Sequence, residues 1–495
     1  MKTRNLKQLF PSQLLLAFVL LFTFLSCEKD SPEPGTGNPV NNTPFDVEIG
    51  NSSIPYIIID TEGAAIQNEP KIPAGFKIFI NKEEVMSGNL GIEYRGSTSF
   101  RISDKKSFGL ETWDADGNDI DLSFFGFPEE EDWILTGHVV NLDGSFIFDR
   151  TLMYHYFGYH LFQNMGNYAS RSKFVELQIN DDYQGVYVFM EKLKRDKNRI
   201  DISSLDPSDN DPSSITGGYV LKIDKTTGGD LALTQPLEYF ENNWDDDARY
   251  TEDISFRSKY DINGDSIEFD PYGSPYHPNQ YLETYFLYEY PKAEEISSAQ
   301  KNYIQDYIHQ FETALLRDDF STSLRTYLNY IDLNSFVDFF LINEICRNVD
   351  GYRLSTYMYK DRGGKLKMGP IWDLNIGYDT GGRIPWDDWV INYNQHVDTD
   401  PWMMPFWWPR LLEDPIFRQA VKNRWTELQA GKLSTFELLN LVDETANHLQ
   451  DNGAIERNYT KWDIGSPVNY SEAIESLKNY LEVRSQWMDN EIGSF

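Results

Sequence analysis

The chain has 495 residues, with 44 Lys and Arg against 78 Asp and Glu, a formal charge of −34 and 15% aromatic side chains. A surface this acidic repels phosphate backbones, which excludes nucleic acid as a partner. Cys27 and Cys346 are the only cysteines, too few for a disulfide framework or a thiolate metal cluster.

Lys2, Arg4 and Lys7 precede an apolar run over 14–25 that ends at Ser26-Cys27. The run is short for a membrane span, which needs about 20 residues. This is the pattern of a lipoprotein signal over 1–27, cleaved before Cys27, with Phe24 where leucine is commoner. Acylation of Cys27 would tie the chain to a lipid bilayer, at about 0.8 kcal/mol for each buried CH₂. The other reading is an uncleaved N-terminal helix with an incidental cysteine. Residues 28–45, polar and rich in Pro and Gly, read as a flexible tether. Glu28 and Asp30, just past the cysteine, suggest onward export, so the expected location is the cell envelope, outside the cytoplasm at the outer membrane or cell surface.

One domain over 46–490 is expected after the tether. Residues 56–59, 76–80, 174–179 and 184–190 have strand character, and Asn180-Asp181-Asp182-Tyr183 forms a hairpin turn between the last two. Leu152, Tyr156, Tyr159 and Phe162 are spaced for a helix over 146–165. Residues 229–292, with polar runs and several Pro and Gly, read as an insertion. Helices follow at 297–316 and 334–347, with three or four more from Leu411 onward. Strands first and helices later imply an α+β fold.

The richest stretch for chemistry runs from Asn343 to Asn375. A helix ends near Asn348 and delivers Asp350 into an Asp-Gly turn. Strands over 356–360 and 365–368, joined at Gly363-Gly364, then return the chain to Asp373. The hairpin brings Asp350 and Asp373 to neighbouring strand ends. Two carboxylates there suit a divalent cation or general-base work, because hard oxygen ligands hold Mg²⁺. Structural roles for an Asp-Gly turn and a strand-end Asp are the alternative.

A second constellation is Tyr94-Arg95-Gly96-Ser97-Thr98-Ser99 followed by Lys105-Lys106, a small-residue turn beside cations that can cradle phosphates or form a solvated hairpin. A third is the strand that ends at Glu191, which either orients a phosphate-binding lysine or pairs with Lys192 or Lys194. Asp261-Ile262-Asn263-Gly264-Asp265 opens like a calcium loop but has Tyr272 at its twelfth position, so an Asn-Gly turn fits better. Trp386, Trp389, Trp402, Trp407 and Trp408 crowd one segment; their flat faces suit either a glycan partner or the core.

Taken in order, these segments resemble the CotH family of spore-coat-type kinases. The matching pieces are Arg95-Gly96-Ser97 with Lys105-Lys106, Trp133-Ile134-Leu135 with Asp149-Arg150, the stretch from Asn180 to Glu191, and Gly217-Gly218-Tyr219-Val220-Leu221-Lys222-Ile223-Asp224. They continue with the Asp350 turn, Pro370-Ile371-Trp372-Asp373, and Pro409 through Trp425. The resemblance implies an atypical protein-kinase-like fold that uses ATP with Mg²⁺ or Mn²⁺ and transfers phosphate to Ser of an exported protein. Carried over by position, Asp350 would align or deprotonate the acceptor hydroxyl. Asp373 would hold the metal, with Asn375 beside it. Arg95 and Lys106 or Lys105 would approach the phosphates, and Glu191 would be their ionic partner. Two positions depart from the pattern. Ser355 stands where an Asn five residues after the first Asp would hold a second metal, and Asn375 replaces an Asp. A catalytically weak surface or periplasmic protein that binds glycan or protein is the alternative function.

Overall fold

Apolar residues alternating along seven strands build the first layer of the protein. The structure, a computed structural model, describes residues 52–226, 248–266, 268, 272, 277–378, 382–398 and 400–495, and every element named here lies among them. Cys27, the signal, the tether and residues 229–247 of the expected insertion lie outside the described residues.

Strands β1 (Tyr56–Asp60), β2 (Ile72–Ile80), β3 (Glu83–Arg95), β4 (Ser107–Trp113) and β5 (Asp132–Thr136) follow one another as antiparallel neighbours. A short hairpin, β6 (Val140–Asn141) with β7 (Phe146–Ile147), comes next, then β8 (Ser172–Ile179) and β9 (Asp182–Glu191). The barrel closes because β5 pairs with β9 and β1 lies parallel to β8, with Tyr56 opposite Glu176. Each strand sends residues two apart inward: Ile57 and Ile59, Phe76 and Ile78, Leu90 and Ile92, Phe108 and Leu110, Trp133 and Leu135, Val175 and Leu177, Tyr187 and Phe189. The intervening Val186, Val188 and Met190 face outward into a second, larger core.

That larger core is shared by a five-stranded antiparallel sheet and the helices. The sheet runs in the order β11-β12-β10-β13-β14, from β10 (Tyr219–Ile223), β11 (Ser255–Arg257), β12 (Tyr285–Tyr290), β13 (Thr356–Lys360) and β14 (Leu366–Met368). The helices are α1 (Thr98–Ile102), α2 (Tyr154–Asn164), α3 (Ser298–Leu316), α4 (Leu333–Ile345), α5 (Tyr393–His396), α6 (Trp407–Glu413), α7 (Pro415–Gln429), α8 (Thr435–Asp451), α9 (Ala454–Trp462) and α10 (Pro467–Gly493). In α4 every residue from Phe336 to Ile345 is buried, as in a helix enclosed on all sides. Its Glu344 is matched by Arg484 of α10 at 3.1 Å.

The architecture is α+β, with a strand-rich first half and a helical second half. Two local expectations change. The helix expected over 146–165 starts only at Tyr154, because the Asp149 carboxylate accepts from the Thr151 and Tyr154 amides, each at 2.8 Å, and turns the chain after β7. The stretch expected to be an insertion ends in β12, which lies inside the second sheet between β11 and β10. Its Tyr285, Phe286, Leu287 and Tyr288 are buried, so this strand is part of the core.

Candidate active site

The segment after α4 is shaped by close packing on that helix. The Asn348 amide bonds to the Asn343 carbonyl at 3.0 Å, and a Cβ at Gly351 would lie 2.4 Å from Asn343 Oδ1. Only glycine lets the Asp350-Gly351 turn approach so closely. β13 and β14 carry the chain out and back, and the Tyr378 amide then bonds to the Cys346 carbonyl at 2.5 Å, tying the returning loop to the end of α4. Arg347 secures the same loop through the Tyr378 carbonyl at 3.0 Å.

Helix α2 supports the loop from below. A Cβ at Gly158 would fall 2.0 Å from Leu374 Cδ1, so this glycine makes the socket for Leu374. Tyr159 stacks on Trp372 at 6.1 Å. Asp373 therefore sits between two anchored neighbours. Its φ is +48°, and Arg347, Tyr352, Ser355 and Tyr378 are also left-handed. Each such residue costs about 1–3 kcal/mol and persists only where surrounding contacts impose it, a condition common at functional sites.

Three carboxylates converge here. Ser355 Oγ donates to Asp373 Oδ2 at 3.0 Å and stands 3.4 Å from Asp224 Oδ2, at the end of β10. Burial pushes the Asp224 carboxyl up to about 6, and the Asp373 charge adds to the shift against Lys222. Burial also raises Asp373, with Asp350 contributing, while Arg95, Ser355 and Lys225 oppose the rise. These cations surround the acids. The Arg95 guanidinium lies 5.5 Å from the Trp372 ring, and Lys225 Nζ donates to Thr98 Oγ1 at 3.2 Å and lies 4.9 Å from the Trp402 ring. Lys222 Nζ is 3.4 Å from Glu289. Burial would raise Glu289, but Lys222 and Lys292 outweigh it and hold its carboxyl at about 2.

Asp350 is held differently. Its Oδ1 contacts the Arg353 guanidinium, and Arg383 approaches the same oxygen at 3.7 Å. Arg353 is itself fixed by the Val349 and Trp402 carbonyls, both at 2.9 Å, and by the Tyr393 ring at 4.2 Å. Among the described residues Oδ2 of Asp350 has no hydrogen bond, and the side chain is only half-buried.

Residues 92–488 match the family model described as CotH kinase protein. The chain belongs to the CotH kinase family. A search of curated proteins found no match.

Within this family member the sequence-chosen residues separate into two groups. Asp350 and Arg95 each fall within electrostatic reach of Asp373. Asn375, half-buried, lies in the turn just after Leu374. Lys105 is fully buried and donates to the Val186 carbonyl at 2.6 Å and Asn458 Oδ1 at 2.8 Å. Lys106 donates to the Phe100 and Ser103 carbonyls at 2.7 and 2.6 Å. Glu191 binds Arg171 at 2.7 Å and Tyr168 at 3.1 Å, with Arg199 at 3.8 Å. The expected ionic pairing of Glu191 with Lys105 or Lys106 is therefore replaced by an arginine pair, because those lysines turn toward backbone carbonyls instead.

Lys222 and Asp224 stand in the matching segment 217–224 but were given no role from the sequence, and Lys225 and Glu289 were not named at all. A signal for two of them was present: Lys222 and Asp224 stand two apart at a strand end and so share a face. Glu130, Glu131 and Asp132 also gather oxygens within 4.8 Å of one another, but Lys194, Lys192 and Arg199 already neutralise them. The Asp261 carboxylate accepts from the Asn263 and Asp265 amides at 2.8 and 2.9 Å, an Asx turn. Trp407 and Trp408 are core residues, Trp389 packs on Trp487 at 4.6 Å, and Trp386 is exposed.

Proposed function

We propose that this CotH-family chain transfers a phosphoryl group from Mg²⁺-bound ATP to Ser of an exported protein, from a position anchored to the envelope by acylated Cys27. The observation that carries the reading is the convergence of Asp373 with Asp224 and Asp350, beside the cations Arg95 and Lys225. Hard carboxylate oxygens suit Mg²⁺ or Mn²⁺, and the flanking cations suit a polyphosphate. Asp373 would hold the metal, with Asn375 in the following turn. When bound, the nucleotide supplies the phosphoryl group and the cation offsets its charge.

The protein's own part is positioning. Arg353 fixes Oδ1 of Asp350, so that Oδ2 accepts the hydrogen bond of an acceptor Ser hydroxyl and takes its proton as the oxygen attacks. Arg95 and Lys225 lower the charge repulsion among the acids and orient phosphate oxygens. Packing of Trp372 and Leu374 on α2 keeps the Asp373 carboxylate from swinging away.

Calorimetric titration with ATP, with and without Mg²⁺ or Mn²⁺, tests this. Metal-dependent binding is expected, and Asp373→Ala should abolish it. Asp350→Asn should keep binding while transfer to Ser falls by roughly a hundredfold or more. No binding at millimolar nucleotide would overturn the reading. The anchor is tested separately: Cys27→Ala should release the protein from the membrane fraction.

A further inference from the structure

Kinase-type sites that use two cations take the second from a side chain five residues after the acceptor-positioning Asp, usually Asn. Ser355 stands there, and a hydroxyl on so short a side chain is a poor replacement for an amide oxygen. Its surroundings differ from those of an ordinary surface serine. The left-handed backbone at Ser355 aims Oγ between two carboxylates, 3.0 Å from Asp373 Oδ2 and 3.4 Å from Asp224 Oδ2.

A hydroxyl carries one proton, so it satisfies one of these carboxylates at a time. The other acid, within 3.4 Å of the same oxygen, faces the charge of its neighbour, offset by the Lys225 and Ser355 amides and by Lys222 on the Asp224 side. Asp224 is also rigidly placed. Tyr250 donates to its carbonyl at 2.6 Å, the Lys225 amide bonds to its Oδ1 at 2.9 Å, and β10 is paired on both sides by β12 and β13. Oδ2 is the Asp224 oxygen nearest Ser355 Oγ. Two carboxylate oxygens placed on either side of one hydroxyl form a donor set for a hard divalent cation.

We infer that Asp224 supplies the second metal-binding carboxylate of this site, so that Asp224 and Asp373 together hold two divalent cations with ATP and Ser355 is a spacer between them. The inference rests on the Mg²⁺-ATP reading above, but it is testable apart from it. With Asp224 as a ligand, the missing amide at position 355 removes nothing the site needs.

The test counts Mn²⁺ bound to the full chain at saturating ATP, by electron paramagnetic resonance of free Mn²⁺, with thermal melting as a control for folding. Two Mn²⁺ per chain are expected for the native protein, one for Asp224→Ala and two for Ser355→Ala. No Mn²⁺ with nucleotide in the native protein would sink the phosphotransfer reading itself. One Mn²⁺ in the native protein, two retained in Asp224→Ala, or a drop to one in Ser355→Ala would overturn the role of Asp224 while leaving that reading intact. If Asp224→Ala fails to fold, Asp224→Leu at the same position gives the count.

Discussion

The barrel and the hairpin after α4 both carry charged residues into the interior, with opposite results. On the barrel, Arg95 comes within electrostatic reach of Asp373, while Lys105 and Lys106, ten and eleven residues on, turn into the wall and bind carbonyls. On the hairpin and its flanking loops, Asp350 and Asp373 stay within electrostatic reach of each other with Asp224 beside them. A long flexible cation finds backbone acceptors wherever it is buried. A short carboxylate cannot reach elsewhere, so its position follows the backbone. Acids on strand ends therefore report a site more faithfully than lysines near a turn.

The largest blow to the hairpin side of this contrast should come from Arg353→Ala. It removes a buried guanidinium shared by Asp350 and Asp400 and should cost about 3 kcal/mol in urea unfolding. Transfer should fall while nucleotide binding survives; an unchanged transfer rate would show that Asp350 needs no fixed orientation.

The barrel side is divided by a pair of substitutions. Arg95→Ala should weaken ATP binding by about 2 kcal/mol, or roughly thirtyfold. Lys105→Met should leave binding at the native level and alter only stability. Equal losses of affinity from the two would erase the distinction between them.

A smaller effect is expected at the support beneath Asp373. Gly158→Ala sets a methyl 2.0 Å from Leu374 Cδ1 and should cost about 1–2 kcal/mol of stability, with metal affinity falling alongside.

The last effect is on pH dependence, where the helical core and the barrel should differ in sign. Burial pushes the Glu312 carboxyl up to about 7 against its bonds from Ser258 and Trp407, and burial pushes Glu344 to about 7 against Arg484. These acids fold most favourably when neutral. Their contribution is complete below the ordinary carboxylate range and is lost as pH rises through about 7, so stability should drop over that interval. Glu312→Gln should flatten the curve measured by thermal melting. Burial pulls Lys105 well below its usual range, so its contribution is present at high pH and is lost as pH falls.

Much of the site was legible because it is local. The Asp350 turn, the hairpin over 356–368 and the return to Asp373 occupy one short stretch, and turn residues with alternating apolar positions were enough to place them. The turn at Asn180 and helices α3 and α4 were legible for the same reason. The rest depends on residues far apart in the chain. Lys105 faces Asn458, 353 positions away, and Asp224 meets Ser355 across 131. No spacing rule carries such information.

The sequence by itself determined an α+β chain of the CotH family, its strand and helix periods, and the two acids on one hairpin, because each follows from short-range pattern or from motifs in order. Tertiary structure alone decided that seven strands close into a barrel, that 285–290 belongs in the second sheet, that Lys105 and Glu191 serve the wall, and that Asp224 joins the site. These outcomes depend on which buried polar groups find partners, and that is settled only when distant strands and helices pack against one another.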